Sequence, residues 1–235
     1  MNNTASLRFR SSSEAITDYL SRVYPNIVIN TVFGFSEPCT LYGGRLYKQE
    51  ITDAEIAILR EQGIYFRIPL TSFYVNEETY NSAQEFLIKH HILGNSVIVA
   101  NHWLSEQIRK DFPLYTIELS VIVDLKSVDE VNKYTEIYDE VVLHGQWNKR
   151  YESLKKIVRK DRIRLFTAMA CSYNCPDRSC YKHVSQKNSG IYKQNEMSCS
   201  QSFVQRQDLG IVNFSVAEMQ ALGFTKFKFL PIQGT

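Results

Sequence analysis

Four cysteines in one polar segment are the residues of this sequence with the clearest capacity for chemistry. Cys171, Cys175, Cys180 and Cys199 follow the spacing C-x3-C-x4-C-x18-C within 29 residues. Four thiolates complete a tetrahedral shell around zinc, or each binds one iron of a [4Fe–4S] cluster, and spacing does not separate the two. Ordinary buried thiols are the third alternative. The polar, turn-rich surroundings favour metal binding.

Two histidines are the candidates for proton transfer. His144 and His102 each follow a predicted strand, and histidine both accepts and donates protons near neutral pH. A plainer interpretation stays open for each. His144 precedes Gly145 and can be a turn residue, and His102 stands where a helix begins.

Three polar residues at strand ends are candidates for substrate binding, because ligands of parallel α/β folds bind where the strands end. Arg45 follows Gly43 and Gly44, and paired glycines beside an arginine suit the approach of an anion. Asn101 and Asn148 follow two later strands. Asparagine before a helix is also a common cap, so Asn101 has a structural alternative.

The elements that must position these residues alternate between strand and helix. The apolar, β-branched runs predict eight strands with little internal charge: Leu7–Phe9, Ile27–Phe33, Ile64–Leu70, Ser96–Ala100, Thr116–Val123, Glu140–Leu143, Ile163–Thr167 and Lys226–Leu230. Helices are predicted near 13–23, 53–62, 77–91, 102–111, 127–137, 148–158 and 215–222.

Strict alternation of this kind predicts a parallel sheet. We therefore expect a single-domain α/β fold over residues 1–235, a (β/α)8-like barrel of parallel strands. A doubly wound open sheet is the alternative. Residues 171–214, the cysteine segment, interrupt the rhythm after the seventh strand and are predicted to form a metal- or cluster-binding insertion.

Composition narrows the function classes. The 235 residues are 44% hydrophobic, which is enough for a core, and their net charge of +2 gives no bulk signal for nucleic acid or membrane binding. No apolar run approaches the length of a membrane span. The first residues lack the apolar core of a signal peptide, so we expect a cytoplasmic protein with reduced cysteines.

Short sequence motifs along most of the chain resemble those of the collagenase-like peptidase family, family thirty-two of the peptidases with unassigned mechanism. The most specific match is the C-x3-C-P-x-R motif from Cys171 to Arg178. The other matching pieces are Phe33-Gly34 with the Gly43–Arg45 loop, Val97–Asn101, Asp111–Pro113, Tyr138–Leu143 with Asn148, Ile163–Phe166, Leu209-Gly210 and Leu222–Lys228.

The resemblance implies a barrel related to the (β/α)8 type and a [4Fe–4S] cluster held by the four cysteines, with Arg178 near the substrate. Several members of the family take part in oxygen-independent hydroxylation of ubiquinone precursors or RNA bases. We therefore expect an iron–sulfur enzyme acting on a small aromatic molecule or an RNA base, with a protein partner of the same family as a further expectation.

One departure and two alternatives accompany this expectation. Many members carry Asn-Glu before the first cysteine, where this chain has Met169-Ala170, so a carboxylate that the family uses is missing. The first alternative is a non-catalytic binding module with structural zinc. A peptidase is the weaker alternative, because no paired nucleophile and base can be placed in the sequence.

Overall fold

Eight parallel strands close into a barrel. The computed structural model describes residues 1–188, 199, 202, 205 and 210–231. Each barrel strand pairs with the next along the chain, and the last one closes the barrel between the seventh and the first. The predicted barrel is therefore confirmed, and the open sheet was wrong. The barrel strands are β1 (Asn2–Ser6), β2 (Thr31–Phe33), β3 (Tyr65–Ile68), β4 (Ser96–Val99), β5 (Thr116–Leu119), β6 (Glu140–Val142), β7 (Ile163–Phe166) and β10 (Lys226–Phe229).

Helices occupy the connections between the strands, and their termini follow capping rules. Thr52 and Ser127 each form the predicted capping box with the glutamate three residues later. Gly63, directly after the C-cap residue of the helix Asp53–Glu61, adopts a positive φ of 74°, as expected of a glycine that ends a helix. The helices are α1 (Ile16–Val23), α2 (Asp53–Glu61), α3 (Glu77–Asn81), α4 (Gln84–Lys89), α5 (His102–Asp111), α6 (Val128–Ile137), α7 (Tyr151–Lys155), α8 (Cys180–Asn188) and α9 (Val216–Ala221).

Two predicted helices are shorter than expected. The stretch 77–91 forms α3 and α4, separated by Ser82 and Ala83. The stretch 148–158 overlaps a 3-10 turn, Gly145–Lys149, followed by α7. At both breaks the backbone N–H bonds to the carbonyl three residues earlier: Ala83 donates to Tyr80 at 3.1 Å, and Arg150 donates to Trp147 at 2.8 Å.

The cysteine segment lies between the seventh and the last barrel strands, as predicted. It begins after β8 (Ala168–Met169), which pairs antiparallel with β9 (Val212–Asn213) outside the barrel. Helix α8 belongs to this segment and starts at Cys180. Residues 189–198, 200–201, 203–204 and 206–209 of the segment are outside the described residues.

Buried charges fill the lower interior of the barrel. Arg67 on β3 pairs with Glu118 on β5, and both side chains are 1% exposed. Arg164 on β7 pairs with Glu140 on β6 at 2.8 Å. Both arginines also donate to the hydroxyl of Thr4, at 2.9 and 3.0 Å. The layer is thus a hydrogen-bonded network that satisfies charges which would be very costly to bury alone.

This layer corrects the expectation that the strands carry little internal charge. Four charged side chains occupy alternate positions of otherwise apolar strands, so the charges point inward and the apolar neighbours pack outward against helices. The first strand also differs from the prediction. It is β1, Asn2–Ser6, whereas Leu7–Phe9 was predicted. Its polar residues face the network, and hydrophobic patterning does not detect such a strand.

The network makes stability depend on the Arg67–Glu118 pair. Burial alone would raise the pKa of Glu118, but the charge and hydrogen bonds of Arg67 outweigh it and hold the pKa below its ordinary value. Arg67→Met should therefore lower the free energy of unfolding by about 3–5 kcal/mol near neutral pH. Urea unfolding monitored by circular dichroism measures this loss.

The pH dependence of this loss in the free energy of unfolding tests whether it comes from Glu118. A carboxylate with a lowered folded pKa stabilises above its unfolded pKa of about 4.3, and this contribution disappears as the pH falls below that value. The difference between wild type and Arg67→Met should therefore narrow toward pH 4 and below. A difference that stays constant from pH 7 to pH 3 would contradict the assignment to Glu118.

Candidate site at the barrel mouth

The loops that follow the strands enclose a cavity at the carboxyl end of the barrel, which we call the mouth cavity. Its volume is about 120 Å³, and its apolar wall includes Phe33, Ile98 and Val142. Polar groups enter from Arg45, Lys228 and Tyr181. Ligands of parallel barrels bind at this end, because there the loops rather than the strands define the surface.

Arg45 is the one predicted binding residue that lines this cavity. Its guanidinium makes a two-pronged ion pair with Glu50 and lies 4.5 Å from the ring centroid of Phe35. Glu50 also accepts from the backbone N–H of Phe35 at 3.2 Å. Arg45 is thus held in one orientation while retaining N–H groups that the pair does not use.

The paired glycines before Arg45 have steric reasons to be glycine. A Cβ on Gly43 would lie 2.4 Å from the carbonyl oxygen of Thr71, and Gly44 has a φ of 77°. Any side chain at Gly43 would displace the backbone that follows β3, and a non-glycine residue at Gly44 would be strained. Both residues line the mouth cavity, so these constraints shape its wall.

Lys228 and Tyr181 are the site residues that sequence reasoning missed. Lys228 is 6% exposed and its ammonium lies over the ring of Phe33, 3.0 Å from the centroid. Tyr181, the second residue of α8, enters the cavity from above. The sequence Lys-Phe-Lys-Phe of β10 could have predicted the position of Lys228. Side chains alternate along a strand, so Lys226 and Lys228 lie on one face and the two phenylalanines on the other.

The four cysteines of the segment are partly buried and lie near one another. Burial, and then the neighbouring thiols of Cys199, Cys175 and Cys171 in that order, together raise the pKa of Cys180 to about 11. The thiol of Cys175 donates to the carbonyl of Asp177 at 2.6 Å. Within 1–188, 199, 202, 205 and 210–231, no three His, Cys, Asp or Glu side chains converge on one point where a single metal ion could bind.

The cysteines adjoin the mouth cavity. Tyr181 follows Cys180 directly and lines the cavity. Arg8 is close enough to both Arg45 and Cys171 to be affected by each. Desolvation and Arg45 lower the pKa of Arg8, and Cys171 raises it. At its other end α8 is tied to the mouth loop, where Asn188 donates to the carbonyl of Arg45 at 3.0 Å. Helix α8 therefore extends from the thiols to the Gly43–Arg45 loop.

The donor chemistry of these thiols fits an iron–sulfur cluster. A zinc ion binds four thiolates at a single point, about 2.3 Å from each sulfur. In a [4Fe–4S] cluster each thiolate binds its own iron, so the sulfurs surround a larger body and do not converge. Four partly buried thiols are a donor set that both arrangements use, so the residues present suit a cluster as well as a zinc ion.

His144 is buried against the start of the cysteine segment. Its Nδ1 accepts from the backbone N–H of Gln146 at 3.3 Å, and its Nε2 lies 3.2 Å from the carbonyl of Ser172. Burial lowers the pKa of His144 to about 4, and the positive charge of Arg178 contributes. The imidazole is therefore neutral near pH 7, with Nε2 donating and Nδ1 accepting.

Arg178 shares this location. Its Nε donates to the same Ser172 carbonyl at 3.1 Å, and its guanidinium pairs with Asp124. Asp124 and Arg178 line an open polar cleft of about 530 Å³, which Cys175 also lines. The structure thus brings together His144 and Arg178, and separately Arg45 with the mouth cavity.

The other predicted site residues lie elsewhere. Asn101 caps α5, accepting from the N–H of Leu104 at 3.1 Å. His102 is 60% exposed in its side chain and lines an outer groove between α5 and α6, near Glu106. Asn148 is buried and donates to the carbonyl of Phe166 at 2.7 Å, while its side-chain oxygen has no hydrogen-bond partner among the described residues.

The positions where the resembling family carries Asn-Glu are occupied differently. Met169 is 3% exposed and packs with Val142 and Phe166, and its sulfur accepts from the N–H of Gly145 at 3.0 Å. An apolar side chain thus stands at the asparagine position. Ala170 stands at the glutamate position, so neither residue supplies the missing carboxylate.

Comparison with known proteins supports the fold. No protein-family model matches the sequence, and no curated protein is detectably similar to it. The solved structure of the U32 peptidase Mk0906 superimposes with a TM-score of 0.67 at 12% sequence identity, covering 100% of this chain and 94% of that one. U32 peptidases are the collagenase-like family that the sequence resembles. At this identity the likeness establishes the barrel.

In the described part of the chain, no helix has the length and apolar character needed to cross a bilayer.

The capping role of Asn101 is directly testable. Asn101→Ala should lower the free energy of unfolding by about 1 kcal/mol, because the N–H of Leu104 loses its acceptor. Asn101→Ser should retain most of the stability, since serine caps equally well. Urea unfolding of the two variants measures both values. An Asn101→Ala protein as stable as wild type would contradict the capping role and favour the binding role.

Proposed function

We propose that this chain is an iron–sulfur enzyme of the collagenase-like peptidase type, in which Cys171, Cys175, Cys180 and Cys199 hold a [4Fe–4S] cluster beside the barrel mouth. Its reaction would be an oxygen-independent hydroxylation, or related redox chemistry, on a small aromatic molecule or a nucleobase. The observation that carries the proposal is the clustering of the thiols: Cys171, Cys175 and Cys199 are all partly buried and close enough to Cys180 to act on it electrostatically.

The surrounding charges support a cluster at this place. Four thiolates give such a cluster a net negative charge, which buried surroundings must balance. Arg178 lies beside the Ser172 carbonyl, and Arg8 is close enough to Cys171 for electrostatic attraction. The Cys175 thiol must lose the proton that it donates to Asp177 before it can bind.

The chain's own residues would perform the remaining tasks. When bound, the cluster supplies electron transfer or activation of an oxygen donor. Arg45, fixed by Glu50, orients an anionic group of the substrate at the rim. Tyr181 separates the thiols from the mouth cavity and stays protonated, because burial raises its pKa to about 12. His144 is neutral and would hold a proton on Nε2 toward Ser172.

Metal analysis of protein purified without oxygen tests the proposal. The wild type should be brown and contain about four iron and four sulfide per chain. Cys180→Ser should lose most of the iron and the colour, because one iron loses its thiolate. Cys39→Ser is the matched control, since Cys39 packs against the apolar core, and it should keep the full iron content.

Three results would overturn the proposal. Zinc at about one per chain, bound through the same cysteines, would favour the binding module with structural zinc. Full iron content in Cys180→Ser would exclude the assigned ligand set. Protein that contains neither metal and hydrolyses peptides would favour a peptidase, the activity named for the similar structure.

A further inference from the structure

Lys228 is the most unusual side chain in the barrel. It extends inward from β10 and is 6% exposed. Its ammonium contacts the aromatic faces of Phe33 and Phe166, at 3.0 and 5.4 Å from the ring centroids. No carboxylate within residues 1–188 or 210–231 forms an ion pair with it, and no described group hydrogen-bonds its nitrogen.

The neighbouring lysine shows what a structural lysine looks like in the same place. Lys226 stands two residues earlier on the same face of β10 and pairs with Glu140 at 2.6 Å. Arg67, Arg164 and Lys226 together use both carboxylates of the buried layer. Lys228 is therefore left above the layer as a buried amine without a counter-ion.

The surroundings favour the uncharged amine. Burial lowers the pKa of Lys228 well below its ordinary value, and the positive charges of Arg67 and Arg45 lower it further. Glu118 opposes this shift, and Arg164 adds to it. A buried lysine in a hydrophobic setting beside other cations is the environment that makes a lysine nucleophilic at neutral pH.

The amine opens onto a space that holds a small molecule. The mouth cavity of about 120 Å³ is lined by Lys228 at its base and by Arg45 at its rim, and it exceeds the roughly 10–15 Å³ that one water needs. Its walls between these two groups are apolar, with Ile98 and Val142. A nucleophile and a guanidinium thus share one cavity.

We propose that Lys228 forms an imine with a small carbonyl compound carrying a carboxylate, an oxo acid, whose carboxylate meets Arg45 in the mouth cavity. The nitrogen of Lys228 attacks the carbonyl carbon, and the two hydrogens that the amine gives up leave with the carbonyl oxygen as one water. No oxidant or reductant is required. The proposal does not depend on the cluster, so it can fail or hold separately from the proposed function.

Reductive trapping tests the proposal on the purified full chain. Protein is incubated with glyoxylate or pyruvate and cyanoborohydride without oxygen, and the adduct is located by peptide mass mapping. The wild type should carry one reduced adduct, at Lys228, formed before surface lysines react. Mapping on the wild type identifies the lysine even if a variant fails to fold.

Matched variants test the two roles separately. Lys228→Met should lose the fast adduct, whereas Lys226→Arg, which keeps a charge beside Glu140, should retain it. Arg45→Gln should weaken apparent binding of glyoxylate about tenfold, the usual effect of one charge-assisted contact. The same variant should slow trapping of uncharged propanal much less than trapping of glyoxylate. Propanal has no carboxylate for Arg45, so only the lost effect of Arg45 on the pKa of Lys228 acts on it.

The contrary results are equally specific. Adducts spread evenly over surface lysines, or equal labelling of wild type and Lys228→Met, would overturn the assignment of Lys228. Equal losses for glyoxylate and propanal in Arg45→Gln would overturn the carboxylate role of Arg45. Because none of these readouts involves iron, loss of the cluster cannot produce them.

Discussion

The pairing of Arg67 with Glu118 and of Arg164 with Glu140 inside the barrel is the constraint on which the site depends. Small barrels fill their interior with side chains, so a charged interior must be neutralised from within. Two carboxylates are shared among two arginines and Lys226. Lys228, two residues after Lys226 on the same strand, contacts the rings of Phe33 and Phe166 rather than a carboxylate. The mouth cavity begins at Lys228.

The cysteine segment completes the site from the opposite side. Helix α8 begins with Cys180, presents Tyr181 to the mouth cavity and ends at Asn188, which holds the backbone of Arg45. One helix therefore links the thiols, the roof of the cavity and the loop with the guanidinium. Tyr181 follows Cys180 directly in the first turn of this helix, so any displacement of Cys180 would move Tyr181 as well.

Some features of this arrangement follow from sequence, and others require the closed barrel. Alternation of strands and helices predicts the barrel. The capping box of Ser127 and the positive φ of Gly63 follow from local rules. The inward charges were missed, because periodicity does not say which face of a strand is the interior. Asn101 and His102 follow a strand end, but α5 turns them away from the mouth cavity.

The cysteine spacing predicted a metal site, and the structure places the thiols near one another, but spacing does not choose between zinc and iron. Met169 and Ala170 show why the comparison with the family has to be made residue by residue, since they replace its asparagine and its glutamate. Fold likeness alone therefore does not carry the chemistry over.

Anomalous diffraction at the iron absorption edge, from crystals grown without oxygen, measures the central claim directly. The account predicts iron scattering enclosed by the sulfurs of Cys171, Cys175, Cys180 and Cys199, next to Tyr181 and above the mouth cavity. A single scatterer with a zinc edge at these sulfurs, or four thiols without any anomalous metal signal, would contradict it.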